Sequence, residues 1–485
     1  MSMRYIGGVI SATPPTTSTS FALGIWTLEQ QMQAQGAGTW PTFPSVWAGK
    51  FSNISNVTQV YLNNLKVDSS GNAIIANAFF DGSVYSMGAL KVSSAGSLTG
   101  QFYYPLSGGS TNIYGRGLAL DSSNNIFMPG YTPGTNLNEY VYKVDSSFTN
   151  VYSVKKATSS VYSVVNDGAA TVDSSNNLYI VGGTNDGSGV FQKLNSSGAN
   201  VATQQITSTT GAGTNSAGVT NIVVTSGGNT YMCGTFYGTD ATGLAGETGW
   251  IGQWNWGTTS FTWINRYYAY YFCSCSFFDS FSLNGLAVSA NGNVITAGVG
   301  YTDYGAKQGG VVISFTSSGT VNWSRKLTST YAVTLNGVAT DSSNNIYVSG
   351  QVFLTSSRSA TFIAKYNSSG TIQWQRTISQ SSFSVNAVTA VQLDATQDCL
   401  YMLMRCQAAT PYYVMLHIPT DGSHTGNFTF SPETFSYSAS SLTEAAYSLS
   451  EISPVYGIST LSPTQTTATL NAKVTPTATL ATVVI

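Results

Sequence analysis

Asp121-Ser122-Ser123-Asn124-Asn125-Ile126-Phe127-Met128 is answered 52 residues later by Asp173-Ser174-Ser175-Asn176-Asn177-Leu178-Tyr179-Ile180, and the phrase returns once more as Asp341-Ser342-Ser343-Asn344-Asn345-Ile346-Tyr347-Val348. Asp and Asn side chains hydrogen-bond backbone N–H groups two residues on, and Asn tolerates positive φ, so each phrase reads as a tight turn feeding an apolar strand. Weaker versions complete a series at Asp68, Asp121, Asp173, Thr225, Ser289, Asp341 and Asp394, with intervals of 53, 52, 52, 64, 52 and 53 residues. A period held this closely marks stacked units, each too small to bury its own apolar face.

Within a unit the hydrophobic period is two, which predicts strands. Unit six shows the plan: Val338-Ala339-Thr340 enters the turn, Ile346 to Gly350 follows it, and Phe362-Ile363-Ala364-Lys365-Tyr366 turns at Asn367-Ser368-Ser369-Gly370 into Thr371 to Arg376. Units one, three and five repeat the second half around Gly96, Gly198 and Gly319. Four strands in each of seven units predict an all-β fold, a seven-bladed β-propeller of four-stranded antiparallel blades. Closing the ring matters because an open stack would leave flat edges free to pair.

The phrases at 341–350 and 362–374 resemble the seven-bladed β-propeller repeat family often called SBBP, similar in plan to NHL repeats. The resemblance spans about 55–432 and implies a fold rather than a task, because propellers host many unrelated functions. Units four and seven depart from it: Thr225-Ser226-Gly227-Gly228-Asn229 lacks the Asp, and Asp394-Ala395-Thr396-Gln397-Asp398 lacks the Asn pair and carries an extra residue.

Composition narrows the setting. Charged residues make up 8% of the 485, against about 25% in ordinary soluble domains, so Ser, Thr, Asn and Gly must wet the surface. With 18 Lys+Arg against 20 Asp+Glu and no basic block, the phosphate-neutralising stripe of a nucleic-acid binder is missing. No apolar run reaches the ~18 residues a membrane helix needs, and the start of the chain reads as no export address. Membrane insertion is therefore not expected. Five cysteines exclude a complete disulfide framework. The Cys273-x-Cys275 pair has only His417 and His424 as further candidates, so the sequence predicts free thiols, no metal site and no cofactor.

The ends differ from the repeats. An N-terminal arm is expected at 1–54, the propeller at 55–432 and a Ser/Thr/Ala-rich C-terminal arm at 433–485, readable as a disordered tail or, from the alternation over Thr466 to Val474, as an extended strand added to the sheet of a neighbouring molecule. In the leader, Thr27-Leu28-Glu29-Gln30 has the pattern of a helix start, and Trp26, Trp40 and Trp47 need somewhere to be buried. Tyr5-Ile6-Gly7-Gly8-Val9-Ile10 with Gly24-Ile25-Trp26-Thr27-Leu28 and Gly38-Thr39-Trp40-Pro41 resembles the opening of virion structural proteins from marine tailed bacteriophages. That resemblance implies an arm that fixes the chain to a particle, with Trp26, Leu28, Trp40 and Trp47 as anchoring candidates.

In a four-stranded blade, the first-to-second and third-to-fourth turns share one face of the disc. The long interval places its extra residues on the other face, in the loop 238–249 and the crossing Tyr267 to Phe278. Seven of the twelve residues in that crossing are aromatic: Tyr267, Tyr268, Tyr270, Tyr271, Phe272, Phe277 and Phe278. They either pack on the outside of blades four and five or form a contact patch for a partner. The strand-three lysines Lys91, Lys143, Lys193 and Lys365 read as a solvated sheet face, and Trp323 and Trp374 as blade-to-blade packing.

Enzyme chemistry finds little purchase. There is no Gly-x-Ser-x-Gly elbow, no sialidase-type Asp-box, and most acids are taken up in the turns. The sequence thus points to a non-enzymatic virion protein of the tail or fibre apparatus, a homo-oligomer held by its termini, whose partners are other virion proteins and a host surface receptor or glycan. A capsid-attached fibre or decoration protein, and a secreted bacterial propeller that binds glycans, are the alternatives.

Overall fold

The computed structural model describes residues 46–484 apart from 56–58, 81, 108–110, 116, 133–137, 158–168, 185–186, 209–215, 240–244, 269–280, 303–306, 388–390, 448 and 453–455. The chain divides after Ser45, and Val46–Ile485 makes up one compact unit. Among the described residues all regular structure is β, in seven antiparallel sheets that form the blades of a propeller. Blade one is the meander Gln59–Val67, Ala73–Phe80, Tyr85–Val92 and Leu98–Tyr104. Blades two to six occupy 114–157, 170–208, 216–268, 281–328 and 333–380, and blade seven takes Val385–Ala387 and Gln392–Leu393, which share its first position, then Cys399–Cys406 and Tyr412–Pro419.

Each blade is organised by its first turn. In blade two, Asp121 Oδ1 accepts from the backbone N–H of Ser123 (3.0 Å) and Asn125 (2.9 Å), while Oδ2 accepts from Asn125 Nδ2 (2.8 Å). Asp341 repeats the pattern with Ser343 and Asn345. The fourth residue sits at positive φ, as Asn124 (61°), Asn176 (61°) and Asn344 (64°) do. These side chains also tie blades together. Asn124 Oδ1 accepts from Ser69 N (3.0 Å), Asn176 Oδ1 from Ser122 Oγ (3.4 Å), Asn344 Oδ1 from Asn291 N (2.8 Å) and Gln397 Oε1 from Ser342 N (2.8 Å). Blades one, four and five have Gly71, Gly228 and Gly292 at this position, which keep the turn and forgo the tie.

A second set of contacts joins fourth strands to the third-to-fourth turn of the next blade. Trp263, Trp323 and Trp374 donate through Nε1 to Ser317 O (2.9 Å), Ser368 O (3.0 Å) and Thr420 O (3.1 Å). Their indoles lie where a Cβ on Gly319, Gly370 or Gly422 would fall, within 2.7 Å or less. Between blades one and two the pair is reversed. Gly100 holds the tryptophan's position and Phe148 the glycine's, and a Cβ on Gly100 would come within 2.2 Å of the Phe148 ring. Complementary volume, rather than a fixed residue, is what the interface selects. The expectation that Trp323 and Trp374 pack between blades matches this arrangement.

The ring closes through the N-terminal strand. Trp47–Ser55 pairs with Tyr412–Pro419 and supplies the fourth strand of blade seven. The expected arm of 1–54 therefore ends too late, because a boundary there cuts this strand; Gly426–Phe430, next in sequence, instead forms a hairpin with Glu433–Ala439 on blade six.

The C-terminal arm is neither a loose tail nor a strand donated to another chain. It runs backwards around the disc and adds a fifth strand to blade after blade: Glu433–Ala439 on six, Thr443–Ala446 on five, Ser450–Ile452 on four, Tyr456–Thr460 on three and Thr464–Thr467 on two. Isolated bridges at Leu470 and Val474 touch blade one, and Thr477–Val484 pairs with Trp47–Ser55 on blade seven. Physically this belt covers the outer edge that each fourth strand would otherwise expose. Phe435 and Tyr437 are fully buried by it, Tyr447 stacks on Phe281 at 6.3 Å, and Arg325 pairs with Glu444 at 2.9 Å.

Candidate functional site

Strand three places a side chain beside each first turn, at Lys91, Lys143, Lys193, Gln253, Ser314, Lys365 and His417 in blades one to seven. The lysines are not a solvated face. Lys91 Nζ lies 3.0 Å from Asp68 and Lys143 Nζ 3.3 Å from Asp121, with the Lys143 side chain 9% exposed. Lys193 and Lys365 sit over the rings of Tyr179 (5.2 Å) and Tyr347 (5.2 Å). Those tyrosines donate to Asp173 and Asp341 instead. Each of these four turn carboxylates thus receives a strand-borne donor, from lysine where strand two offers Ile74 or Phe127 and from tyrosine where it offers Tyr179 or Tyr347.

These contacts set a pH dependence. Burial pushes the carboxyls of Asp68, Asp121 and Asp173 up, but hydrogen bonds from Asn72, Asn125 and Asn177, and from the neighbouring Lys91, Lys143 or Tyr179, outweigh it and hold all three below the ordinary value. A depressed folded-state pKa gives stability that is complete above the unfolded carboxylate value of about 3.9 and is lost as pH falls through the folded value. Unfolding followed by tryptophan fluorescence should show stability nearly flat above about pH 5 and falling steeply below about pH 4; Asp121→Asn should shrink that fall.

On the opposite face, blade four stands out. Its strands Thr230–Thr239 and Ala245–Asn255 run to 10 and 11 residues, and Tyr237 near their outer end is 47% exposed. The strand that leads into the aromatic crossing is held firmly. Arg266, 1% exposed, donates to Thr248 Oγ1 and lies 5.5 Å from the Phe236 ring, and Trp250 Nε1 donates to Gly218 O at 3.0 Å. Tyr267 does not reach a surface. It is 2% exposed, its ring is 5.8 Å from Phe315, and burial pushes its phenol up to about 12. Tyr268 ends the strand, opposite Ser450 of the belt. Tyr270, Tyr271, Phe272, Phe277, Phe278, Cys273 and Cys275 lie outside the described residues, as do Trp26, Leu28, Trp40 and the loop 240–244.

Trp47, expected to anchor the arm to a particle, has a different place. It is 2% exposed, donates to Ser94 O at 2.8 Å and lies against Gly96, making the clasp between blades seven and one. The motif Trp47-Ala48-Gly49-Lys50 stands where Trp374-Gln375-Arg376-Thr377 stands in blade six, which is the signal a register comparison would use.

Where Ala202 replaces the clasp tryptophan, between blades three and four, a groove of about 950 Å³ opens against the belt, lined by Ala202, Thr203, Trp256, Leu461 and Gln465. For metal, one group of described residues brings three ligand types together: Asp394, Cys399 and His417, with their ligand atoms within 4.8 Å of one another.

Ring, turns and belt together define the class: a seven-bladed β-propeller whose own C-terminal segment girdles it. No family model and no curated protein matches the sequence. Among solved structures, Drosophila Semaphorin 2a is similar at 10% identity and a TM-score of 0.43, over 76% of this chain and 75% of that one. Sqt1 from Chaetomium thermophilum is similar at 10% identity and a TM-score of 0.37, over 76% of this chain and 98% of that one.

Proposed function

We propose that this chain is a non-enzymatic structural protein of a bacteriophage tail or tail-fibre apparatus, in which the propeller meets a host surface or other tail proteins. The observation that carries the reading is the belt. It covers blade edges that would otherwise pair with neighbours, on a chain whose 8% charge gives little electrostatic protection from association. A body built that way suits long exposure outside a cell. The C-terminal arm is spent on the chain's own blades, so attachment and self-association fall to residues 1–45, whose opening resembles virion proteins. The SBBP-like turns supply a rigid disc, and the aromatic residues that follow Tyr268 in the sequence supply the contact. Among the described residues no helix is long and apolar enough to cross a membrane. The turn acids are occupied by their own hydrogen bonds, which supports a binding role over a catalytic one.

Antibody labelling of particles by electron microscopy tests the setting: label on the tail or fibre supports it, label on the head moves it to a decoration role, and absence from particles overturns it. For the contact, Tyr270→Ser, Tyr271→Ser and Phe272→Ser together should leave thermal melting nearly unchanged and weaken attachment to host cells. A large fall in melting temperature with attachment intact would make the crossing a packing element.

A further inference from the structure

In six of the seven blades the residue that closes the first turn is asparagine: Asn72, Asn125, Asn177, Asn229, Asn293 and Asn345, each accepting through its backbone carbonyl from the residue that opens the turn. Blade seven has one extra residue in the turn, and Cys399 closes it, with Asp394 N donating to Cys399 O at 2.9 Å. The strand-three position, lysine in four blades, is His417 here and sits opposite Tyr401 as Lys365 sits opposite Tyr347. Both partners of the turn carboxylate have therefore changed together, from hydrogen-bond donors into soft and borderline metal ligands.

We propose that Asp394, Cys399 and His417 form a binding site for a transition-metal dication of the zinc type on the turn face of blade seven. Mixed carboxylate, thiolate and imidazole donors suit zinc, whereas magnesium and calcium favour oxygen alone. The donor atoms lie within 4.8 Å of one another, with His417 Nε2 at 3.7 Å from Asp394 Oδ2. Bond lengths of about 2.0–2.3 Å in a tetrahedral shell set ligands about 3.3–3.8 Å apart, so closing the site needs movements of about 1 Å.

The surroundings fix the ligands. The His417 ring stacks on Tyr401 at 4.4 Å and lies 5.7 Å from Trp47. Asp394 Oδ1 is occupied by the backbone N–H of Asp398 (3.1 Å) and Cys399 (3.2 Å), and Thr396 Oγ1 donates to Oδ2 at 3.0 Å. Cys399 and His417 are 0% and 1% exposed. Two anionic donors and one neutral imidazole would balance the dication, and three protein ligands leave a fourth position for water.

The full chain, stripped with a chelator and titrated with Co²⁺, should take up one ion with a thiolate-to-cobalt charge-transfer band that Zn²⁺ then displaces. Cys399→Asn with His417→Lys restores the pairing of the other blades and should keep the fold while weakening uptake by more than about 100-fold. Cys399→Ser gives a second reading, in which the charge-transfer band disappears with the melting curve nearly unchanged. Absence of the band in the unaltered chain, or its persistence in either variant, would overturn the site.

Discussion

A chain lacking 426–485 is expected to melt about 10 °C or more below the full-length protein and to aggregate on heating. The deleted segment contributes the buried side chains of Phe428, Phe430, Phe435 and Tyr437, each worth about 1.5–3 kcal/mol on burial, together with backbone pairing on six blades. Its loss bares the outer edges of Asn150–Ala157, Asn200–Ser208 and the other fourth strands. Exposed edges are templates for pairing, and Val151 and Val201 on two of these strands are already 53% and 55% exposed. Deleting only 472–485 should cost much less, because blades two to six keep their fifth strands. Differential scanning calorimetry with light scattering separates the two truncations. Equal melting of the 426–485 truncation and the full chain would mean that the belt contributes no stability.

The second large effect is expected from a single methyl group. Gly350→Ala should lower the apparent melting temperature sharply, with a cost of about 3 kcal/mol or more. An added Cβ would sit 1.9 Å from Thr334 O and 2.8 Å from Leu335 Cα, both backbone atoms that cannot rotate away. The reason is the bulge in the first strand of blade six, between Leu335 and Gly337. It presses that strand's carbonyl onto the second strand. A Cβ added to Gly298 would fall at the same 1.9 Å from Ser282 O in blade five, beside the corresponding bulge. Gly426→Ala is the control, since nothing lies within 4 Å of its added Cβ, and it should change stability by no more than about 0.5 kcal/mol.

These two effects show where the sequence is readable. The turn phrase recurs because every blade needs the same local hydrogen bonds, and local chemistry repeats visibly at a 52- or 53-residue spacing. Blade number, strand order and the face on which the turns lie all follow from it. The glycine after Ser349 also repeats, but its cause is a carbonyl from another strand, which no periodicity displays. Trp47 is hidden differently: it performs a repeat's task with no Ser-Ser-Gly phrase ahead of it in the sequence, so it reads as part of a leader. The belt is written in strands as short as Ser450–Ile452 and Thr443–Ala446, rich in Ser, Thr and Ala and lacking strong alternation, because its partners are supplied by the blades. Lys143 is misleading because a single charged residue in a strand signals solvent, whereas its partner Asp121 reaches it through the turn. Cys399 and His417 are hidden for a related reason. Metal motifs are sought as close spacings along the chain, and this pair becomes adjacent only when blade seven is set beside the register of the other six.

Hydrogen–deuterium exchange of the intact protein, read by mass spectrometry over 433–439 and 477–484, addresses the girdled ring most directly. Amides paired with Ile372–Gln380 and Trp47–Ser55 should be protected by about 1000-fold or more relative to an unfolded chain, alongside strand Ile346–Phe353. Exchange of both belt segments at unfolded rates while Ile346–Phe353 stays protected would contradict the belt.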